Sequence, residues 1–286
     1  MAFLVSPLLF KDDYRSRVER IQNRLRKTYY SVEPGDREAQ ITRLAHHYCP
    51  HTVVGVEDYK RSGESEVQLE FAFYPHSLES FIGQRGRLSP EEVTAVVIDL
   101  VETILSLHKE QITHQDLNIS NVVMDFPCQH IRLIDFETSS APGLKFRDCL
   151  STIDSASPEL LRDIDSRCTE TDTDPYKNDL WALGKIVYDL VSGQRTRSMA
   201  RLTSEQRGMR IREATRGCQE VRPVLETCLE GDIQLRGGSL QEALDRLRTK
   251  ERRFPLKELV MPELYHIVGR GSVESGICPD IKQANN

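Results

Sequence analysis

A polar segment that directly follows a long apolar helix constrains this chain more than any other feature. In residues 93–107 the apolar side chains recur at helical spacing, which predicts a largely buried helix. Ser89 and Glu92 form a capping box with proline at the first helical position, so the helix is expected to begin there. The segment that follows, residues 114–121, reads HQDLNISN. A polar loop is therefore predicted at the end of a core helix.

Three side chains in and near this loop predict phosphoryl-transfer chemistry. Asp116 and Asn121 lie on the loop itself, and Asp135 ends a predicted strand that can return beside them. A carboxylate close to an alcohol can accept its proton or orient it as it attacks phosphorus. An amide oxygen and a second carboxylate are hard ligands that suit Mg²⁺ holding nucleotide phosphates. Because phosphoryl transfer needs mostly positioning and charge neutralisation, these groups supply most of the machinery.

Composition excludes several other classes of protein. The net charge of −6 over 286 residues disfavours binding to nucleic acid, and no apolar run reaches the roughly 18 residues of a membrane span. Residues 1–10 are apolar but lack a basic region, so we do not interpret them as a signal peptide. The seven cysteines are scattered and contain no CxxC pair, which favours an intracellular location, cytoplasmic or nuclear.

The order of predicted elements indicates an α+β fold. Strands gather mainly before residue 80 and helices dominate after it, which predicts a small lobe over residues 1–76 and a helical lobe over 77–250. A tail of mixed composition covers 251–286. Residues 14–30 are compatible with either a basic helix or a strand pair, and a turn is predicted at Gly35.

The residues around the polar loop resemble those of the protein kinase family. HQDLNISN is similar to the family's catalytic loop, H-x-D-L-x-x-x-N, and DFE at 135–137 resembles its metal-binding D-F-x motif. Small-molecule kinases of the aminoglycoside phosphotransferase and choline kinase type carry similar loops, often followed by an I-D-F-E pattern like that of residues 134–137. The loop alone therefore leaves both families open.

Three later motifs favour the protein kinases. SPE at 157–159 resembles the A-P-E motif that closes the family's activation segment. DLWALG at 179–184 resembles the D-x-W-x-L-G start of its central buried helix. CLEGD at 228–232, followed by Arg236, is similar to its late C-x-x-x-D-x-x-x-R pattern. The resemblance extends over about residues 68–248 and agrees in pattern, order and spacing.

This resemblance implies a two-lobed protein-kinase-like fold with a reduced N-lobe and a mostly helical C-lobe. In that fold Asp179 would accept hydrogen bonds from backbone N–H groups of the catalytic loop. Arg236 would pair with Glu159 in a buried salt bridge, and breaking such a bridge from one side costs roughly 3–5 kcal/mol.

The front of the chain departs from the family pattern. No G-x-G-x-x-G loop is present, because the first glycine is Gly35. The family also needs a strand lysine for the α- and β-phosphates, paired with a helix glutamate. Lys27 and Glu38 are the candidates for this pair, with Lys11 as the poorer choice of lysine. Gln115 replaces the arginine that usually receives the activation-loop phosphate, so activation by phosphate is less expected.

The resemblance implies ATP- and Mg²⁺-dependent transfer of a phosphoryl group to a protein serine or threonine. Asp116 would orient and deprotonate the hydroxyl, Asn121 and Asp135 would hold the metal, and Lys27 with Glu38 would steady the phosphates. Two alternatives stay open. The first is a pseudokinase that acts as a scaffold for a protein partner, favoured by the missing glycines. The second is a small-molecule kinase, favoured by the D-F-E ending. The sequence leaves the oligomeric state open.

Overall fold

The computed structural model describes residues 8–63, 65–125, 130–145, 152–167 and 173–251. An antiparallel sheet and one helix come first in the chain, and a helical region follows them. This arrangement confirms the α+β class. The tail expected at 251–286 lies outside the described residues from residue 252 onward, as do residues 1–7.

The N-lobe is built on a five-stranded sheet with the strand order β1-β2-β3-β5-β4, in which every neighbouring pair is antiparallel. The strands are β1 (Leu8–Asp12), β2 (Ser16–Ile21), β3 (Arg24–Tyr29), β4 (Val56–Ser62) and β5 (Glu66–Ala72). Of the two structures predicted for residues 14–30, the strand pair is therefore the one observed, and not the basic helix. The register of β2 and β3 sets Val18 opposite Lys27.

Helix α1 (Val32–Tyr48) packs against this sheet, and the turn predicted at Gly35 is wrong. Gly35 lies in the first turns of α1, where a Cβ atom would come within 2.7 Å of the Val67 Cβ on β5. The glycine therefore permits a close approach of helix and sheet, which a larger side chain would prevent. Glu38 and Ile41 lie on the buried face of the helix that results.

The C-lobe is organised around two long buried helices, α3 and α5. The capping box at Ser89 is present, and the largest hydrophobic cluster joins α3 to α5 through residues such as Leu100 and Leu183. Trp181 on α5 is fully buried, and α5 stops at Gly193, whose φ of 68° is left-handed. The helices are α2 (Leu78–Arg85), α3 (Pro90–Lys109), α4 (Pro158–Asp165), α5 (Pro175–Ser192), α6 (Ser204–Ala214), α7 (Arg222–Cys228) and α8 (Leu240–Glu251), with 3-10 turns at Thr215–Gly217 and Gln219–Val221.

A small hairpin in the C-lobe contacts the N-lobe through backbone hydrogen bonds. Strands β6 (Val122–Asp125) and β7 (His130–Leu133) pair directly after the polar loop. Leu133 donates its N–H to the Thr52 carbonyl and accepts the Val54 N–H, at 2.8 and 3.0 Å. The segment after α1 is therefore fastened to the end of β7, which brings Asp135 close to the N-lobe. Over the residues that the structure covers, none of the helices is both long and apolar enough to cross a membrane.

Candidate active site

The polar loop of residues 114–121 is anchored to helix α5 by a single carboxylate. Asp179 is buried and accepts the backbone N–H groups of His114 at 2.8 Å and Gln115 at 2.7 Å, and it also contacts His108 Nε2 at 3.0 Å. His114 Nε2 lies 3.0 Å from the Ile134 carbonyl oxygen. These contacts join the loop to α3, to α5 and to the residue that precedes Asp135.

Asp116 and Asn121 contact each other at the open side of this loop. Asn121 Nδ2 donates to the Asp116 carbonyl oxygen at 2.9 Å and to its Oδ2 at 3.2 Å. Asp116 Oδ1 accepts the backbone N–H of Thr152 at 3.1 Å and its hydroxyl at 2.9 Å. Burial raises the pKa of Asp116, although the Thr152 hydroxyl opposes that rise. The Asn121 carbonyl oxygen accepts the Ile134 N–H at 3.1 Å, which sets the following residue, Asp135, beside the loop.

Lys27 joins the two lobes across this site. Its Nζ lies 2.8 Å from Asp135 Oδ1, 3.2 Å from Glu38 Oε2 and 3.0 Å from Glu137 Oε2. The side chains of Lys27 and Glu38 are only 7% and 1% exposed. Tyr29 adds a hydroxyl donor to Glu38. Burial opposes the charge on Lys27, but Asp135 and Glu38 outweigh it and raise the pKa of the amine, so Lys27 stays protonated.

The carboxyl group of Asp135 is held in its charged form by the same contact. Burial alone would raise the pKa of Asp135, but the charge and hydrogen bond of Lys27 lower it. Asp135 has a φ of 66°, a left-handed conformation that only a few per cent of non-glycine residues adopt. Strain of this kind persists where the surrounding structure enforces it, and it is common at functional sites.

A cleft of about 630 Å³ opens between the lobes beside these residues. Its polar end contains Lys27, Asn121 and Asp135, and the remaining lining is mostly apolar, for example Leu25 and Phe71. The volume lies within the range of small-ligand sites. The apolar walls suit a flat base, and the amide and carboxylate at the polar end suit a divalent cation with its phosphates. The site therefore fits a nucleotide with a metal ion.

A second ion pair braces the helical lobe. Arg236 is fully buried, and its guanidinium binds the Glu159 carboxylate with two N–H groups, one of them at 3.1 Å. It also donates to the carbonyl oxygens of Glu230 and Lys177 and lies over the Trp181 ring. Arg236 therefore joins α4 and α5 to the segment that follows α7.

A family model described as "Protein kinase domain" matches residues 22–246. This chain belongs to the protein kinase domain family. The match includes Lys27, Glu38, Asp116, Asn121 and Asp135. Protein kinase domains use ATP, typically with Mg²⁺.

Several curated kinases are similar to part of the chain. Death-associated protein kinase 2 from Homo sapiens is 27% identical over 62% of this chain and 46% of its own length. The liver/testis isoform of the phosphorylase b kinase gamma catalytic chain from Bos taurus is 31% identical over 55% of this chain and 38% of its own. The serine/threonine-protein kinase ppk25 from Schizosaccharomyces pombe is 28% identical over 55% and 36%. The chain thus spans less than half the length of these relatives.

Two contacts of this kinase domain were missed by sequence reasoning. Glu137, the last residue of the DFE motif, binds Lys27. Arg37, next to Glu38 on α1, donates to the carbonyl oxygens of Glu137 and Ser139. The first contact had a signal in the sequence, an acid where the family has glycine. The second contact depends on packing between segments about 100 residues apart, so no pattern in the sequence indicated it.

Lys11, the poorer choice of strand lysine, also lines the cleft but forms its ion pair elsewhere. It lies on β1, and its Nζ is 3.1 Å from Asp13 Oδ2. Lys27 is the lysine that contacts Glu38 and Asp135, so the geometry favours Lys27 for the position at the phosphates.

Proposed function

We propose that this chain is a protein serine/threonine kinase that transfers the γ-phosphoryl group of ATP to a protein hydroxyl with the help of Mg²⁺. The observation that carries the proposal is the triple contact of Lys27, whose amine touches Glu38, Asp135 and Glu137 at the polar end of an open cleft. A lysine held by Glu38 and Asp135 lies where nucleotide phosphates need positive charge.

Each polar residue of the site has a proposed role. Asp116 orients the substrate hydroxyl and accepts its proton, a step that its partly shielded carboxylate suits. Asn121 and Asp135 would hold a Mg²⁺ ion, which when bound neutralises charge on the phosphates. Lys27 steadies the α- and β-phosphates, and Glu38 keeps the Lys27 side chain extended into the cleft.

Transfer of label from [γ-³²P]ATP tests the role of Asp116. The chain is incubated with Mg²⁺, labelled ATP and mixed protein substrates, and incorporation into protein is measured. Asp116→Asn should reduce the rate about 10²–10⁴-fold, because a positioned general base contributes that much. Asp245→Asn, the same change at an exposed position of α8, should leave the rate unaltered. Equal rates for Asp116→Asn and the wild type would remove Asp116 from the proposed mechanism.

The metal ligands require a separate binding measurement. Asp135→Asn should weaken Mg-ATP binding and reduce the difference in affinity between ATP with and without Mg²⁺. Calorimetric titration of ATP at several Mg²⁺ concentrations measures this difference. If the Mg²⁺ dependence of binding were untouched by the substitution, Asp135 would not be a metal ligand.

A scaffolding pseudokinase is the alternative function, and two observations favour it. The turn between β1 and β2 contains no glycine, and Asn118 occupies the position two residues after Asp116, where active members usually have lysine. A thermal-shift titration separates the two functions. A ligand present at 100 times its Kd adds about 2.7 kcal/mol to the free energy of unfolding. No shift at millimolar Mg-ATP would favour the scaffold.

We also propose a boundary between the two lobes and a cellular location for the chain. We place the end of the N-lobe near residue 76, because β5 ends at Ala72 and α2 begins at Leu78. An intracellular location, cytoplasmic or nuclear, is supported by Cys49 and Cys228, which are buried free thiols. Limited proteolysis of the folded chain, with the cut sites identified by mass spectrometry, tests the boundary.

A further inference from the structure

A side chain of the turn between β1 and β2 binds two backbone N–H groups at that turn. Asp13 Oδ1 accepts the N–H of Arg15 at 2.8 Å and that of Ser16 at 2.9 Å. These two hydrogen bonds hold the pKa of Asp13 at about 2, so its carboxylate is charged at neutral pH. The turn therefore offers neither of these N–H groups to an anion in the cleft.

A nucleotide in this cleft needs positive charge from another source. The carboxylates of Glu38, Asp135 and Glu137 already surround the amine of Lys27. Asp116 adds a further acid near Asn121. A triphosphate brings more negative charge into this environment, and two of the backbone N–H groups at the turn, which could balance part of it, are already bonded to Asp13.

Lys11 is placed to supply that charge. Among the described residues that line the cleft, Lys11 and Lys27 are the two with a positive charge. Lys11 lies on β1 and lines the same cleft as Lys27 and Asp135, so its side chain is on the wall that faces a bound nucleotide. The register of β1 against β2 shifts between Leu9 and Lys11, an irregularity of the kind that redirects side chains in a strand.

The present partner of Lys11 is easily exchanged. Its ion pair with Asp13 is near the surface, since the two side chains are 45% and 37% exposed. Exposed ion pairs contribute little to stability, so the ammonium can leave Asp13 for a phosphate. The two backbone hydrogen bonds of Asp13 use its Oδ1, whereas Lys11 contacts its Oδ2, so the loss of the ion pair breaks neither hydrogen bond directly.

We propose that Lys11 binds the phosphate groups of the nucleotide and replaces the backbone N–H groups of the missing glycine-rich turn. The inference rests on the proposed function, because it requires that Mg-ATP occupies the cleft. It adds a second phosphate-binding cation to Lys27, on a strand where the family pattern assigns none. Lys11 is a positioning residue for the nucleotide, and no proton passes through it.

Calorimetric titration with two ligands tests this assignment. Mg-ATP carries the phosphates, and adenosine lacks them. Lys11→Met should raise the Kd for Mg-ATP about tenfold, because one charge-assisted hydrogen bond is lost, and leave the Kd for adenosine within twofold of the wild type. Lys11→Arg should stay within threefold for both ligands. Lys60→Met, at an exposed position of β4, controls for the loss of one positive charge.

Asp13→Asn tests the same idea in the opposite direction. The amide keeps an oxygen for the turn but removes the charge that competes for Lys11, so Mg-ATP should bind more tightly. Equal loss of Mg-ATP and adenosine affinity in Lys11→Met would indicate a structural role and overturn the inference. So would an unchanged Kd for Mg-ATP, with the proposed function left intact. A wild-type chain that binds no Mg-ATP at all would overturn both.

Discussion

The ion pair between Arg236 and Glu159 allows a prediction of stability with a worked magnitude. Arg236 is fully buried, whereas the Glu159 side chain is 11% exposed. In Glu159→Gln the buried guanidinium keeps only neutral partners, namely two carbonyl oxygens, the Trp181 ring and the oxygen of the new amide. Removing one partner of a buried pair costs about 3–5 kcal/mol. At about 2–4 °C per kcal/mol, the melting temperature should fall by roughly 6–20 °C.

An exposed pair in the same lobe provides the matched control. Arg201 lies 3.0 Å from Asp165, with side chains 63% and 50% exposed. Such pairs contribute about 0.2–1 kcal/mol, so Asp165→Asn should lower the melting temperature by less than about 4 °C. Differential scanning calorimetry of both variants measures the difference. Similar small shifts in the two variants would refute the argument that burial makes the Arg236 pair costly to break.

The pH dependence of stability checks the same reasoning. Burial raises the pKa of Glu159, but Arg236 outweighs it and lowers the pKa below its usual 4.5. A carboxyl group whose pKa is lowered by folding stabilises the protein above its unfolded pKa, and this stability is lost as the pH falls through the folded pKa. Glu159→Gln should therefore lose less stability than the wild type between neutral pH and pH values below 4.5. The double variant Glu159→Leu with Arg236→Met should cost less than the two single changes added together.

The remaining predictions concern the active site. Thr152→Val removes a hydroxyl that lowers the pKa of Asp116, so the acid limb of the kcat/KM profile should move to higher pH; an unmoved limb would contradict this. Glu137→Gly releases Lys27 from one of its three carboxylates and should strengthen Mg-ATP binding in a calorimetric titration, and weaker binding would show that Glu137 supports the nucleotide. Gln115 donates to the Ser140 hydroxyl at 2.7 Å and has no positive charge with which to bind a phosphate. Phosphatase treatment should therefore leave the transfer rate unchanged. A fall in rate would show that a phosphate does activate the chain.

Local patterns were sufficient for helix α3 and the loop that follows it. The capping box at Ser89 and the apolar periodicity of residues 93–107 each act within a few residues, and the structure contains both features. Short-range interactions determine these elements, so a sequence is enough to predict them.

Local patterns left residues 14–30 open between a helix and a strand pair, because the charges of this part of the sheet are balanced by distant residues. Residues 24–29 read RLRKTY, which shows no clear alternation of apolar and polar side chains. In the structure Arg24 and Arg26 both bind Glu70, which lies on β5 more than 40 residues later. Lys27 is buried only because acids from α1 and from the segment after β7 meet it. Charge pairs of this kind depend on the tertiary fold, so they cannot be predicted from neighbouring residues alone.

The anchoring of the loop by Asp179 has a consequence for its dynamics. The amide protons of His114 and Gln115 are bonded to a carboxylate on α5, the helix at the centre of the lobe. They can exchange with solvent only when that carboxylate moves away, so their exchange rates follow the opening of the core helix rather than the fluctuations of a surface loop. Isotope exchange at these two amides therefore reports whether the reaction centre is already rigid before any nucleotide arrives.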